Sequence, residues 1–257
     1  ITPLNSALFR ADEALLIPKV ETLGSLDPIL KLVRNHRIDM ILVGSEFDLE
    51  FFSKNKDAIQ EATGVKTLVA DPKVISIADD KWLTAEFLRT NGLPYAKSFL
   101  PSDMMDAMEK AMHIGYPLIL KSRRGTSSRN VHLILNECQL QECWPITPDP
   151  VLQQAIDIPS EQLESEYTCS VFKAADGKLL GPFHARRTVR GGTSWNIEVK
   201  HFEQLDHLML SIGDAMQCEG SLNVQLMIGE NGPVPFEINA RFSGTTAVRA
   251  HFGFNEP

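Results

Sequence analysis

The chain has 257 residues, 43% of them hydrophobic and 23% charged, which is enough apolar chain for one large core or two to three small ones. Its formal net charge of −8 argues against nucleic acid or an anionic membrane as the main partner. No apolar run approaches the roughly 20 residues of a membrane span. The four cysteines have neither metal-site nor disulfide spacing, so a reduced, cytoplasmic enzyme is the simplest expectation.

The two ends of the sequence are abrupt. It starts at Ile1 without an initiator Met, shows no signal peptide, and stops at Pro257 directly after an apolar segment. We therefore expect elements at both ends to be missing from this sequence.

Residues 1–76 alternate helical and strand patterns. Helical spacing spans Leu26 to Asn35 and Leu49 to Thr63, and apolar runs at 38–44 and 66–69 predict buried strands. Apolar strands separated by helices indicate a parallel sheet covered on both faces. No glycine-rich dinucleotide fingerprint is present. These residues are predicted to form a small, partial Rossmann-like α/β domain without its first strand.

Residues 77–150 are predicted to carry an anion-binding loop between two strands. A helix opens at Asp79-Asp80-Lys81 and ends near Asn91-Gly92, a second helix spans 104–113, and strands cover 116–121 and 131–134. The segment 122–129 holds three Arg, three Ser and one Thr around a glycine. Such a loop can cover phosphates with hydroxyl and backbone N–H groups. The alternative is a basic surface hairpin, and the spacing of a Walker loop is absent.

Residues 151–257 are predicted to be mostly strands, with one helix near 205–216. The predicted strands are 151–156, 166–173, 179–187, 222–228 and 234–241. A hairpin loop at 229–233 places Gln225 opposite Glu237 and Asn223 opposite Asn239. Pro233 favours this five-residue loop because it has no N–H for the ladder. A four-residue loop would turn Gln225 to the other face.

The last predicted strand carries the most informative residues. Side chains alternate along a strand, so Glu237, Asn239 and Arg241 are expected on one face. Carboxylate and amide oxygens suit a hard cation such as magnesium, and the arginine suits phosphate oxygens. A strand end with a solvated polar face is the alternative.

Together these segments resemble the ATP-grasp family from about Asp79 to the end. The resemblance implies an ATP-grasp fold, α+β in its catalytic part, with a small subdomain at 77–150 and a large one at 151–257. Residues 1–76 are similar to the pre-ATP-grasp domain that precedes it in that family. The stretches Asn223-Val224-Gln225 and Glu237-Ile238-Asn239 are most similar to proteins resembling the large subunit of carbamoyl phosphate synthetase. One such unit, and no amidotransferase pattern, is visible in residues 1–257.

The resemblance also implies roles for individual residues. Magnesium, or manganese in its place, would be held by Gln225, Glu237 and Asn239. Arg241, Lys121 and Arg190 would serve catalysis, Arg241 on the γ-phosphoryl charge and Arg190 on the acyl phosphate. ATP would be bound by Lys81, Lys121, Arg124, Ser127, Ser128, Gln154, Ala155, Ile156 and Glu166. In this set, Gln154 stands where an acidic residue is usual and Ala155 where an aromatic is common.

The implied reaction is phosphorylation of a carboxylate by ATP, followed by attack of an amine or similar nucleophile on the acyl phosphate. Two alternatives stay open: an enzyme that forms an acyl phosphate as carbamoyl phosphate synthetase does, and an ATP-binding regulatory module without catalysis. The expected partners are small-molecule carboxylates and amines, with neither nucleic acid nor membrane, and a homodimer is an open option. Lone histidines such as His184 and His201 receive no role.

Overall fold

The computed structural model describes residues 6–125, 130–157, 166–191 and 193–256. Internal contacts divide the chain into two compact units, residues 1–72 and 73–257. Within the described ranges, no helix is long and apolar enough to cross a membrane.

The first unit contains a parallel strand pair joined by a helix. Its elements, after a 3-10 turn at Ser6–Phe9, are α1 (Leu26–Asn35), β1 (Met40–Leu42), α2 (Leu49–Thr63) and β2 (Lys66–Leu68). Strands β1 and β2 pair in parallel, with Ile41 beside Thr67. Gly64 caps the C-terminus of α2, and its φ of 76° lies in the left-handed region that glycine favours.

The expectation of buried strands covered on both faces is wrong for β1. Met40 and Leu42 are 51% and 48% exposed, whereas Thr67 is buried. Among the described residues the sheet has two strands, and Met40 and Leu42 lie on its open face. Whether this unit is the partial Rossmann-like domain that the sequence suggests stays a prediction.

The second unit combines a four-stranded and a five-stranded sheet with six helices in its described part. In chain order its elements are α3 (Pro72–Asp79), α4 (Lys81–Thr90), β3 (Ser98–Phe99), α5 (Met104–Ile114), β4 (Leu118–Ser122), β5 (Val131–Ile134), α6 (Glu137–Cys143), β6 (Pro150–Gln154), β7 (Glu166–Lys173), β8 (Leu179–Arg190), β9 (Thr193–Val199), α7 (Asp206–Met216), β10 (Gly220–Gly229), β11 (Gly232–Asn239) and α8 (Thr246–His251). Sequence patterns missed α3, β3, α6, β9 and α8, because short elements carry too few periods of hydrophobic repeat to be recognised.

The four-stranded sheet has the order β3-β6-β4-β5 and one apolar face. Leu118, Leu120 and Leu152 point to this face and pack with Ala107 and Ala111 of α5. Because side chains alternate along a strand, the neighbours of these leucines point to the opposite face. That opposite face carries Lys121 of β4 and Gln153 of β6.

The five-stranded antiparallel sheet has the order β11-β10-β7-β8-β9, so β11 and β9 are its edges. Helix α7 covers one face, where Leu208, Met209 and Ile212 are buried. The residues that point away from α7 include several polar ones in register. Thr168, Gln225 and Glu237 form one row across three strands, and Ser170, Asn223 and Asn239 form the next.

Helix α7 lies close to the sheet because Gly213 has no side chain. A Cβ at this position would meet methyl carbons of Leu179 and Val171 at 3.0 Å. We predict that Gly213→Val lowers the free energy of unfolding by about 1–3 kcal/mol through overpacking, measured by chemical denaturation. Asp214→Val on the exposed side of α7 is the matched control for helix propensity. Equal losses in the two variants would contradict this packing account.

Candidate active site

The hairpin of β10 and β11 gathers a carboxylate and two amides. Glu237 Oε1 accepts hydrogen bonds from Asn239 Nδ2 at 2.9 Å and from Gln225 Nε2 at 3.3 Å. The predicted pairings are confirmed, because Gln225 lies opposite Glu237 and Asn223 opposite Asn239. Asn223 is buried and donates to Thr168 Oγ1 at 2.8 Å and to the Cys169 carbonyl at 3.1 Å. Asn223 therefore connects β10 with β7 beside the Gln225–Glu237 pair and does not bond to Glu237 itself.

The prediction of a five-residue hairpin loop is wrong, because the turn has two residues. Gln225 and Glu237 are nevertheless paired, because a β-bulge shifts the register between the turn and this pair. Gly229 pairs with Gly232 around a two-residue turn, and Leu226 pairs with Pro235. This register, continued unbroken, would bring Phe236 opposite Gln225. The register instead shifts between Gln225 and Leu226, so that Phe236 is the extra residue and Glu237 moves into place.

Pro233 lies within the ladder, contrary to the prediction, because β11 is an edge strand. Pro233 pairs with Ile228 inside the ladder. An edge strand leaves one side of its backbone without a neighbouring strand, so a proline without an N–H is tolerated there.

Lys121 is a buried cation on the facing side of the four-stranded sheet. Its side chain is largely buried, and Nζ donates to Gln153 Oε1 at 2.7 Å. Gln153 Nε2 in turn donates to Ser98 Oγ at 2.9 Å, which holds the amide in this orientation. Burial, reinforced by the Lys81 charge and opposed by Glu237, lowers the pKa of Lys121 from 10.5 to about 7. The Lys121 Nζ lies 6.0 Å from the centre of the Phe236 ring, so the bulge and the lysine face each other.

Lys81 is the first residue of α4, and its Nζ donates to the Gly125 carbonyl at 2.9 Å. The structure therefore brings Lys81 against the start of the basic loop. Arg124 is exposed in the same stretch, with Nε 3.9 Å from Asp80 Oδ2. Ser127 and Ser128 lie outside the described residues, so their predicted contact with phosphates stays a prediction.

The predicted adenine segment follows the end of β6. Gln154 closes the strand, and its N–H donates to the Lys97 carbonyl at 2.8 Å; Ala155 and Ile156 come directly after it. The β10–β11 turn packs against this segment. A Cβ on Gly229 would lie 3.0 Å from both the Asp157 carbonyl oxygen and an Ile156 methyl, so a side chain there would push the two apart.

Glu166, the predicted ribose carboxylate, is ion-paired with Arg187 on the neighbouring strand β8. Arg187 Nε donates to Glu166 Oε1 at 2.9 Å, a second guanidinium nitrogen binds the same oxygen, and Nη1 donates to Ser194 Oγ at 2.8 Å.

The predicted position of Arg241 on the strand face is wrong, whereas the predicted role of Arg190 stays a prediction. Strand β11 ends at Asn239, so Arg241 is not on the strand face with Glu237; it follows the strand, and its Nη1 donates to the Phe242 carbonyl at 3.0 Å. Arg190 ends β8, and its guanidinium lies 5.0 Å from the centre of the exposed Trp195 ring. Among the described residues, no hydrogen bond or ion pair connects Arg190 with Lys121 or Glu237.

A second polar cluster, His184, His201 and Asp206, lies on the α7 side of the large sheet. His184 Nδ1 accepts the Phe202 N–H at 3.2 Å, so the proton of its neutral ring is on Nε2, which points toward Asp206 at 3.6 Å. Burial lowers the pKa of His184, which keeps the ring neutral. A metal ion would need the lone pair that Nε2 does not have in this tautomer. The cluster is therefore read as structural.

The model of the ATP-grasp domain family matches residues 78–245, so the chain belongs to this family. The large chain of carbamoyl phosphate synthase from Clostridium acetobutylicum is 28% identical over 201 residues, 72% of this chain and 18% of that protein. The D-alanine–D-alanine ligase of Corynebacterium efficiens is 27% identical over 198 residues, 66% of this chain and 53% of the ligase.

One solved structure shows the shared fold at low sequence identity. It is the biotin carboxylase domain of the 2-oxoglutarate carboxylase from Hydrogenobacter thermophilus, in complex with MgADP and bicarbonate. It matches with a TM-score of 0.73 at 19% identity, over 93% of this chain and 56% of that one. The chain thus spans less than two thirds of the length of each of these three proteins.

The low pKa of Lys121 can be measured directly. We predict that one lysine Nζ titrates near pH 7 in ¹⁵N NMR spectra of the labelled protein, and that its signal is absent in Lys121→Arg. Gln153→Glu should raise this pKa because a carboxylate stabilises the ammonium. Gln154→Glu, exposed on the same strand, is the control that should leave it unchanged. Titration of every lysine in the usual range would contradict the burial argument.

The same shift has a defined effect on stability. Lys121 has a lower pKa folded than unfolded, so between about pH 7 and 10.5 the unfolded chain binds more protons. Stability should therefore rise with pH in this window, and Lys121→Met should remove that part of the slope.

Proposed function

We propose that the chain is the ATP-grasp part of an ATP- and magnesium-dependent ligase that joins a carboxylate to an amine. The γ-phosphoryl group of ATP passes to a carboxylate oxygen, which gives an acyl phosphate and ADP. The amine then attacks the acyl carbon, the C–N bond forms, and inorganic phosphate leaves with the bonding electron pair. The amine loses a proton to solvent or phosphate.

The observation that carries this proposal is the pair of facing groups in the second unit. On one sheet, Glu237 accepts hydrogen bonds from the amide nitrogens of Asn239 and Gln225, whose oxygens would turn toward a metal ion. On the other sheet lies the buried Lys121. A buried cation is costly when its hydrogen-bond partner is a neutral amide and a second lysine lies nearby, as for Lys121, and such groups are frequent at ligand sites. A metal–polyphosphate ligand has the complementary charges for each.

The donor set fits magnesium, since it contains one carboxylate and two amide oxygens and no sulfur or imidazole. Gln225, Glu237 and Asn239 would hold the ion together with phosphate oxygens. When bound, magnesium neutralises charge on the transferring phosphoryl group. A single carboxylate binds magnesium weakly by itself, so we expect metal and nucleotide to bind together.

Basic side chains would neutralise the remaining negative charge of the triphosphate. Lys81 would contact phosphates from the start of α4, Lys121 would lie on the α-phosphate side, and Arg241 would stabilise the developing γ-phosphoryl charge. Phosphoryl transfer needs mainly positioning and charge neutralisation, so the first step requires no general base. Arg124, Ser127 and Ser128 would cover the phosphates.

The nucleoside of ATP and the carboxylate substrate would bind on either side of the metal–phosphate site. The backbone of Gln154, Ala155 and Ile156 would pair with adenine, and Glu166, fixed by Arg187, would bind the ribose hydroxyls. Arg190 would contact the acyl phosphate, which requires its guanidinium to leave the Trp195 ring.

Residues 1–76 would be the pre-ATP-grasp, Rossmann-like domain, followed by the small subdomain at 77–150 and the large one at 151–257. The solved relative with MgADP is a dimer. A homodimer is accordingly part of this proposal.

ADP release across a panel of amino acids and other carboxylates, each with and without an amine, tests the function, with mass spectrometry of the products. Carboxylate-dependent ADP and an amide product support the ligase. Phosphorylated acid without amide formation would favour an enzyme like carbamoyl phosphate synthetase. Tight ATP binding without ADP for any acid would favour a regulatory module.

We predict that Glu237→Ala lowers turnover by at least about 100-fold, because it removes the only carboxylate among the proposed metal ligands. Glu230→Ala, in the exposed turn of the same hairpin, is the matched control and should keep full turnover. Unchanged turnover in Glu237→Ala would exclude the proposed metal site.

A further inference from the structure

The start of the basic loop is attached to helix α4 by one buried carboxylate. Asp80 is fully buried and precedes the first residue of α4. Its Oδ1 accepts the N–H groups of Trp82 at 3.0 Å and Leu83 at 3.1 Å, which caps the helix. Its Oδ2 accepts Arg123 Nε at 2.6 Å. The two oxygens of one side chain thus serve the helix and the loop separately.

The loop returns two further contacts to the same turn of α4. The Lys81 N–H donates to the Arg123 carbonyl at 3.0 Å, and Lys81 Nζ donates to the Gly125 carbonyl at 2.9 Å. Gly125 has a φ of 123°, which favours glycine. Residues 123–125 are therefore held along the backbone and the side chain of Lys81.

The other side of Arg123 is anchored to the four-stranded sheet. Its N–H donates to the Asp149 carbonyl at 2.8 Å, just before β6, and the Ser122 N–H donates to the Asn130 carbonyl at 3.2 Å. The loop thus leaves the sheet from a defined position. The sheet does not determine how residues 123–125 approach Lys81. The two hydrogen bonds from Lys81 hold them there, and the buried Asp80–Arg123 pair fixes the side chain at the start of this stretch.

We propose that Asp80 is a positioning residue for phosphate binding, which acts through Arg123 to hold residues 123–125 and Lys81 as one unit. This inference rests on the proposed function, in which Lys81 and the loop contact the phosphates. Asp80 itself touches no substrate. The negative charge of Asp80 positions Arg123, and with it Lys81 and residues 123–125, which are proposed to contact the phosphates.

Asp80→Asn separates the two functions of the carboxylate. Asparagine caps a helix as well as aspartate does, so the bonds to Trp82 and Leu83 can persist. The amide nitrogen that replaces Oδ2 faces the Arg123 N–H, and two donors repel. Arg123→Gln breaks the same pair from the other side, on a side chain that is a quarter exposed, and leaves the Asp80 cap untouched.

The experiment measures the affinities of the wild type and the variants for MgATP, MgADP and AMP by isothermal titration calorimetry. We expect Asp80→Asn and Arg123→Gln each to weaken MgATP and MgADP about tenfold or more, as the loss of a charge-assisted hydrogen bond predicts. AMP should bind within about twofold of the wild type, because it lacks the phosphates that Lys81 and the loop contact. The double variant should be no weaker than the worse single one, since both changes break one interaction.

Asp103→Asn is the matched control. Asp103 caps α5 by accepting the Asp106 N–H at 2.9 Å, and none of its described hydrogen bonds or ion pairs involves an arginine. It should leave all three affinities unchanged. Thermal denaturation checks that each variant folds, and if Asp80→Asn does not, Arg123→Gln carries the test.

Two results would overturn the positioning role: unchanged MgATP affinity in both variants, or an equal loss for AMP, which marks general damage to the structure. A wild type that binds AMP, MgADP and MgATP equally, or binds none of them, would instead overturn the proposed function, and the positioning role with it.

Discussion

One inserted residue in an edge strand determines which side chains face the proposed nucleotide site. The turn at Glu230-Asn231 establishes a register in which Phe236 would lie opposite Gln225. The bulge absorbs Phe236 and brings the carboxylate of Glu237 beside the two amides instead. Because side chains alternate along a strand, a slip of one residue would turn Glu237 and Asn239 toward α7. The chemistry of the site therefore depends on this irregularity of the backbone.

The charges around the bulge form a connected set. Lys121 is buried and hydrogen-bonded to a neutral amide, so its pKa falls to about 7, and Lys81 adds to this effect from the start of α4. Asp80 is buried as well, but it has Arg123 and two helix N–H groups as partners. The buried charge of Asp80 is thus compensated by a charged partner within the protein, whereas Lys121 has only a neutral amide as its hydrogen-bond partner. The uncompensated lysine is the one that an anionic ligand would stabilise, which is why structure and proposed chemistry agree at this point.

Much of this arrangement follows from the sequence, and the exceptions have physical reasons. Long periodic helices such as α1 and α2 were predictable from spacing. The pairing of Gln225 with Glu237 was predicted correctly, but from a five-residue loop that the structure does not have. The bulge was not, because a bulge leaves no mark in the alternation that distinguishes it from a different loop length. The roles of Gln153, Asp80 and Arg123 depend on contacts between residues 32 to 43 positions apart, which no local pattern encodes. Arg241 was placed on the strand because its spacing fits, but β11 ends two residues before it.

The central claim is that Glu237 and Asn239 bind a metal ion together with ATP phosphates, opposite Lys121. A crystal structure with Mn²⁺ and a non-hydrolysable ATP analogue tests it most directly, because manganese gives an anomalous signal that identifies its position. The account predicts a manganese peak bonded to the Glu237 carboxylate, the Asn239 amide oxygen and phosphate oxygens, with Lys121 on the α-phosphate side. Nucleotide bound with its manganese away from Glu237, or manganese at His201 and Asp206, would contradict it.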